Sequence, residues 1–384
     1  MEKIGIICEY NPFHNGHIYH LQKVKEMYPN AMIILVMSSS FTMRGEISLL
    51  NKWDKTSIAL TYGVNLVIEL PTFYSTNSAD TFAYGAIKIL NYLKCDYLIF
   101  GTESNDITLL QEMANIQINN PLYDSKVKEY MDMGYNYPTS MSKALNDLSK
   151  KTINLPNDLL GLSYIKEIIK QKSNIIPISI KRTNDYHEKE INKSITSATS
   201  IREALNSNID ITNTVPKETL IKLNKTNYQD NFFYLLRYQI LNNIDNLNEY
   251  LDVDEGLDNL IKKNILKVNN YYELINKIKT KRYTYNRLNR MFIHILLNMK
   301  KKNLKKYQEI NYLRILGFDN LGKKYLKEIR KETIIPFITN YSDLKDDNLS
   351  LELYITFIYN QIMNKKDDNL QELKSIPIQK EELN

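Results

Sequence analysis

Two histidines stand three residues apart in the run Glu9-Tyr10-Asn11-Pro12-Phe13-His14-Asn15-Gly16-His17. At that spacing both rings can face one side of a first helical turn. Gly16 lets the backbone come close to a ligand, and the amide groups of a helix start favour phosphate oxygens. Two imidazoles at such a place can donate to those oxygens as charge develops in a transition state. The same residues could equally be half of a metal site or two surface side chains, because a four-residue pattern is common by chance. Its position directly after a short apolar run, Lys3 to Cys8, favours the chemical reading.

A second set is Ser194-Ile195-Thr196-Ser197-Ala198-Thr199-Ser200-Ile201-Arg202. Hydroxyls and amides at a helix start suit phosphate, and Arg202 can pair with a polyphosphate and its departing half. An ordinary capped helix uses the same Ser and Thr, so this segment gains meaning only beside the histidine pair. The turn Ser38-Ser39-Ser40-Phe41-Thr42-Met43-Arg44-Gly45-Glu46 reads as a substrate loop or, taken alone, more readily as a surface turn. Farther on, Lys277 to Arg290 holds six basic residues and no acid, with Tyr283 and Tyr285 interleaved. Such a cluster suits a nucleic-acid backbone and base stacking, and a solvated helix face fits it equally.

These residues need elements to hold them. Lys3 to Cys8, Ala31 to Met37, Asn65 to Leu70, Asp96 to Phe100 and Asn174 to Ile180 read as buried strands. They alternate with helical patterns at Ile18 to Tyr28, Lys52 to Tyr62 and Ser78 to Leu93. Continuous apolar strands separated by helices imply a doubly wound, Rossmann-like parallel sheet, the α/β class. Ligands of such sheets bind beyond the C-terminal strand ends. That directs attention to Gly101 and Arg182, which follow the fourth and fifth strands, and to Asn157 in Leu155-Pro156-Asn157-Asp158-Leu159-Leu160-Gly161. From about Glu203 the alternation stops and amphipathic helices follow. The expected division is 1–205 for the sheet and 206–384 for an all-helical second part, with Asn206 to Pro216 as the junction.

The chain of 384 residues carries a formal net charge of +6, which permits an RNA partner without requiring one. Its two cysteines, Cys8 and Cys95, make no disulfide framework and no Cys-rich zinc site. No apolar run is long enough to span a membrane and no secretory signal stands at the start, so a reducing cytoplasm is the expectation.

In order, EYNPFHNGHIYHL, the Arg44-Gly45-Glu46 turn with KWDK after it, NLVIELPTFYSTNSADTFAYGA, FGTES, LPNDLLGLSYIK and SATSIREAL resemble the bacterial tRNA(Met) cytidine acetate ligase family. TKRYTYNRLNRMFIHILL and YLRILGFDNLGKKYLKEI extend the resemblance into the second half. His14-Asn15-Gly16-His17 is also the His-x-Gly-His pattern with which one superfamily of nucleotidyltransferases and class I aminoacyl-tRNA synthetases binds ATP.

The resemblance implies that ATP and acetate form acetyl-adenylate, whose acetyl group passes to N4 of the wobble cytidine of elongator tRNA(Met). It places ATP contacts on Ile7, Cys8, Glu9, Tyr10, Asn11, Pro12, Phe13, His14, Asn15, Gly16, His17, Ile18, Tyr19 and His20, with Gly101, Asn157, Arg182 and Ser200. His14, His17 and Arg202 are the expected catalytic set, and Mg²⁺ is expected to offset phosphate charge without a protein-built metal cage. Lys281, Arg282, Arg287 and Arg290 are the candidate tRNA contacts. The chain departs from the family pattern at Ser39, Ser40, Met43 and Asn65. An adenylyltransferase acting on a small metabolite, or a non-catalytic RNA-binding relative, would share the histidine pattern. The long helical second half counts against the first, and the intact His pair with Arg202 counts against the second.

Overall fold

The computed structural model describes residues 1–182, 195–223, 228–365 and 367–380. Ser194 of the hydroxyl-rich segment lies outside them. The strands are β1 (Lys3–Cys8), β2 (Met32–Ser38), β3 (Leu66–Leu70), β4 (Tyr97–Thr102), β5 (Ile176–Lys181), β6 (Leu313–Phe318), β7 (Phe337–Ile338) and β8 (Ile378–Gln379). They form one sheet in the order β5-β4-β1-β2-β3-β6-β7, with β8 paired to β6. The first five strands are parallel, Ile4 pairing with Ile33 on one side and Tyr97 on the other.

The period of two along a strand explains why the central runs are apolar throughout, whereas β5, expected to be buried, lies at the sheet edge and is only half-buried. On β2, Met32, Ile34 and Val36 join one core with Phe82, Ala83, Ala86 and Leu90 of helix Ala79–Tyr92. The alternate residues Ile33, Leu35 and Met37 join another with Leu21 and Val24 of helix Asn15–Met27 and Ile58 of helix Lys52–Thr61. Burying one such side chain is worth about 1.5–3 kcal/mol, so both faces must be covered, as the doubly wound reading expects.

Two features differ from the sequence-based expectation. Three helices, Ile107–Asn119, Tyr123–Asp132 and Tyr137–Ser149, stand between β4 and helix Pro156–Lys170. The second half is also not all-helical, because β6 pairs antiparallel with β3 and carries β7 and β8. The run Leu-Arg-Ile-Leu-Gly-Phe is as long as β1, but an arginine interrupts it, no strand–helix alternation surrounds it, and its partner lies far away in sequence. Its Arg314 is buried, 1% exposed, with its guanidinium stacked 4.4 Å from the Tyr341 ring centre. The C-terminal segment closes onto the first half through Glu372, which meets Lys52 at 2.8 Å and accepts from Trp53 Nε1 at 2.5 Å. The helices of the second half extend one core, since Phe232, Leu236, Leu288 and Phe292 belong to the same cluster as Ile34 and Ile68.

The segment read as a junction is packed rather than open. Ile211 and Val215 join Ile201 and Ala204, and Asn15 donates to the carbonyls of Thr214 (backbone N, 3.0 Å) and Asn213 (Nδ2, 2.9 Å).

Candidate active site

The strand order reverses at β1, which has β2 on one side and β4 on the other. A crevice is expected beyond the C-terminal strand ends there. After Cys8 the chain turns through Tyr10, whose φ of +46° costs about 1–2 kcal/mol. Packing offsets this cost, because the Tyr10 ring meets Phe13 at 4.8 Å and His17 at 4.5 Å. Asn11 ties the turn to the next loop, donating to Ile47 O (3.2 Å) and accepting from Leu49 N (2.9 Å).

His14 is the N-cap of helix Asn15–Met27. Its Nδ1 accepts from Gly16 N at 3.0 Å, while His17 Nδ1 accepts from His14 N at 3.2 Å, a reciprocal capping box. The two rings lie 3.8 Å apart between centres. A Cβ at Gly16 would come within 2.7 Å of the His14 ring, so only glycine fits. Because each Nδ1 accepts, the proton of each neutral ring sits on Nε2, which makes Nε2 a donor. Burial, followed by the Arg182 and Arg202 charges, holds His14 down at about 3. Burial, then His14 and Arg182, holds His17 well below its usual value. Burial and Arg182 hold His20 at about 4. All three imidazoles are therefore neutral near pH 7.

The amides of this helix start are already used: Asn15 N by Thr214 O, Gly16 N by the His14 ring, and His17 N by His14 O at 2.8 Å. The expectation that they serve an anion is corrected; the donors left among the cavity residues include imidazole Nε2–H groups and guanidinium groups. The same holds at helix Pro156–Lys170. There the Glu103 carboxylate accepts the amides of Asn157 (3.1 Å) and Asp158 (3.0 Å) and the Asn157 side chain (2.6 Å). Asp158 in return accepts from Glu103 N and Ser104 N, both at 3.1 Å. Asn157 and the loop after β4 are thus one rigid wall, on which Arg182 packs with its Cγ close over Gly101.

The third wall is the turn at residues 41–47. Glu46 pairs with Arg202 at 2.7 Å, and Arg202 also donates to Asn11 O at 2.7 Å. Arg44 donates to Thr199 Oγ1 at 3.3 Å. Lys55, fully buried and held down at about 8 by desolvation, donates to the carbonyls of Glu9, Ser38 and Ser39 behind the crevice. Ser40 likewise offers its backbone, accepting from Ser48 N at 2.9 Å. Ser39 and Ser40 therefore meet Lys55 and Ser48 through backbone carbonyls. Asn65 bridges Ile33 N and Asp319, donating to the latter at 2.7 Å. An aspartate at 65 would bring a second carboxylate against Asp319.

These walls enclose a cavity of about 270 Å³. Of the expected residues, Ile7, Cys8, Glu9, Tyr10, Asn11, His14, Gly16, His17, Tyr19, His20, Gly101, Asn157, Arg182 and Arg202 line it. Pro12, Phe13, Asn15, Ile18 and Ser200 are not in the lining. Phe13 is core, stacked 5.3 Å from Tyr62, and Ser200 bonds Ser197 at 2.8 Å within the helix cap. The sequence reading passed over the apolar floor of Phe82, Phe100, Leu160 and Tyr164, and underweighted Met43, Arg44 and Glu46. The rule that ligands lie beyond strand ends points to the loop after β2, which was read as a substrate loop but more readily as a surface turn. Burial pushes the Cys8 thiol far up, so it is no nucleophile. Among the described residues no group of three or more His, Cys, Asp or Glu could hold a metal ion. No helix among them is long and apolar enough to cross a membrane.

The basic candidates lie elsewhere and differ from one another. Lys281 is exposed, and Arg282 is exposed and paired with Glu255 at 2.7 Å. Arg287 stacks 4.7 Å over Tyr283 and sits 3.8 Å from Asp254. Arg290 turns inward and donates to Met43 O at 3.0 Å.

A cavity with an apolar floor, neutral imidazole donors and three guanidinium groups at the reversal of a doubly wound sheet defines a nucleotidyltransferase-type site. The HIGH Nucleotidyl Transferase family model matches residues 1–374. A protein from Clostridium acetobutylicum named tRNA(Met) cytidine acetate ligase is 39% identical, the match covering 96% of this chain and 98% of that protein. One of the same name from Clostridium perfringens is 40% identical, covering 94% and 95%. The crystal structure of apo Thermotoga maritima TmcAL superposes with a TM-score of 0.90 at 28% identity, covering 99% of this chain and 100% of that one. The form bound with alpha-thio ATP gives 0.88. The chain belongs to the HIGH nucleotidyl transferase family and, within it, to the tRNA(Met) cytidine acetate ligases.

Proposed function

We propose that this chain binds ATP in the crevice beyond β1, β4 and β5, activates acetate, and acetylates N4 of the wobble cytidine of elongator tRNA(Met). The observation that carries this reading is the closely packed, tilted and neutral His14–His17 pair facing a cavity with Arg44, Arg182 and Arg202. It stands in a chain similar over almost its whole length to proteins named for that reaction. The match across both halves weighs against a one-domain metabolite adenylyltransferase.

An acetate oxygen attacks the α-phosphorus, the bond to the bridging oxygen breaks, and pyrophosphate leaves. The cytidine N4 then attacks the acetyl carbon, releasing AMP and a proton. His14 and His17 donate through Nε2 to phosphate oxygens. The permanently charged Arg202 guanidinium serves the departing group by exchanging Glu46 for phosphate. The apolar floor at Phe100, Leu160 and Tyr164 receives the base, and Gly101, Asn157 and Arg182 form the wall beside it. Mg²⁺ would come with the phosphates and offset their charge, since the described residues hold no group of three or more His, Cys, Asp or Glu that could bind it. Residues 1–205 hold the nucleotide and 206–384 the tRNA, a division of labour across one sheet, since β6 of the second part pairs with β3 of the first. Work on tRNA supports a cytoplasmic place.

The test is incubation with ATP, Mg²⁺, labelled acetate and bulk bacterial tRNA, followed by nucleoside analysis. Label in N4-acetylcytidine is expected. ATP turnover without labelled RNA would reject the acceptor, and no ATP turnover would reject the enzyme.

A further inference from the structure

Within the basic run 277–290, the last arginine faces away from solvent. Arg290, on helix Tyr285–Leu296, donates from Nη1 to the Met43 carbonyl, and its Nε is buried without a partner among the described residues. Its neighbour Asn289 donates from Nδ2 to the Arg44 carbonyl at 3.4 Å. From the cleft side, Glu9 Oε1 accepts the Met43 N–H at 2.6 Å. Met43 is thus held at both of its backbone polar groups, once by a residue of the crevice and once by a residue of the second half.

Gly45 completes the contact. Its φ is +72°, and a Cβ there would sit 2.5 Å from the backbone nitrogen of Arg290. Helix and turn therefore touch backbone to backbone, an approach open only to glycine. The turn is closed by Thr42 N to Glu46 O (3.0 Å) and Gly45 N to Thr42 O (2.8 Å). It delivers Arg44 and Glu46 to the cavity, and Glu46 holds Arg202.

We infer that Arg290, together with Gly45, is a positioning residue of the nucleotide crevice and not an RNA contact. Helix Tyr285–Leu296 sets where Arg44 and Glu46 enter the cavity, so the second half takes part in forming the adenylation site. The kinetic consequence rests on the proposed function; the placement does not. A guanidinium bond to a half-buried carbonyl is among the stronger hydrogen bonds, and its loss corresponds to about a tenfold change.

The experiment compares Arg290→Met, Arg290→Lys and Gly45→Ala with the control Lys281→Glu/Arg282→Glu in the full chain. Amide hydrogen exchange of the ligand-free protein is read at residues 42–46, with β2 amides reporting the fold. Arg290→Met and Gly45→Ala should speed exchange at Met43, Gly45 and Glu46 about tenfold while β2 stays protected. In acetate-dependent pyrophosphate–ATP exchange, the KM for ATP should rise about tenfold in both, with tRNA affinity unchanged. Arg290→Lys should recover part of the loss, and the control should show the opposite pattern. Unchanged exchange at 42–46, or lost tRNA affinity with unchanged KM, would overturn the inference. If the wild-type protein performs no acetate-dependent reaction, the functional reading fails and hydrogen exchange alone decides the placement. Should Arg290→Met lose β2 protection as well, Arg290→Lys and Gly45→Ala carry the decision.

Discussion

The corner at residues 9–20 and the basic run at 277–290 look like similar kinds of signal, short stretches dense in one chemistry, yet the structure treats them differently. At the first corner the residues that act on one another are neighbours in sequence. His14 and His17 cap each other's turn, and one helix start fixes both rings and both tautomers. At the second, the partners come from elsewhere. Glu255 takes Arg282, Asp254 lies near Arg287, and Met43 takes Arg290. Local sequence shows six bases and no acid, whereas the fold sets acids beside Arg282 and Arg287 and turns Arg290 onto a backbone carbonyl. A motif whose geometry is closed by residues three apart can be read directly. A charge cluster cannot, because its field depends on what the fold brings beside it.

The largest effect that would break this contrast is at the histidines. His14→Ala or His17→Ala should lower acetate-dependent pyrophosphate–ATP exchange at least about 100-fold, the scale of losing one preorganised donor. The lost cap should cost only about 1 kcal/mol of stability. Retained exchange in both variants would mean that the crevice works through its arginines alone.

A smaller effect follows from the depressed histidines. Below about pH 6.5 the unfolded chain takes up protons that native His14, His17 and His20 refuse, since burial keeps their folded values low. Stability should be level with respect to these groups above that pH. It should fall by about 1.4 kcal/mol per pH unit for each such group as pH drops toward 5. Denaturant midpoints between pH 7.5 and 5 measure the slope, and His20→Asn should remove one proton's share. A pH-independent midpoint would place the three rings in contact with water.

The smallest effect sharpens the other side. Lys281→Glu with Arg282→Glu should weaken tRNA binding several-fold. The salt dependence should flatten by roughly 0.7 for each phosphate that is no longer neutralised. ATP turnover in the absence of tRNA should not change. Equal affinity across salt concentrations would remove this surface from RNA recognition.

Much of the frame is legible in the residues themselves. Four apolar runs with helices between them lead to a doubly wound parallel sheet, because a strand covered on both faces must be apolar at every position; the fifth run, read as buried, is a half-exposed edge strand. The His-x-Gly-His run is equally legible, because its interactions are local. Tertiary structure alone decided the rest. It inserted β6 beside β3 across more than 200 residues, satisfied the amides of the helix start at Asn15 to His17 that looked open to an anion, and brought the 41–47 turn between the crevice and helix Tyr285–Leu296. Each of these is a pairing between groups with no sequence period to link them. The donors, acceptors and charges that close them can be identified only once the chain is packed.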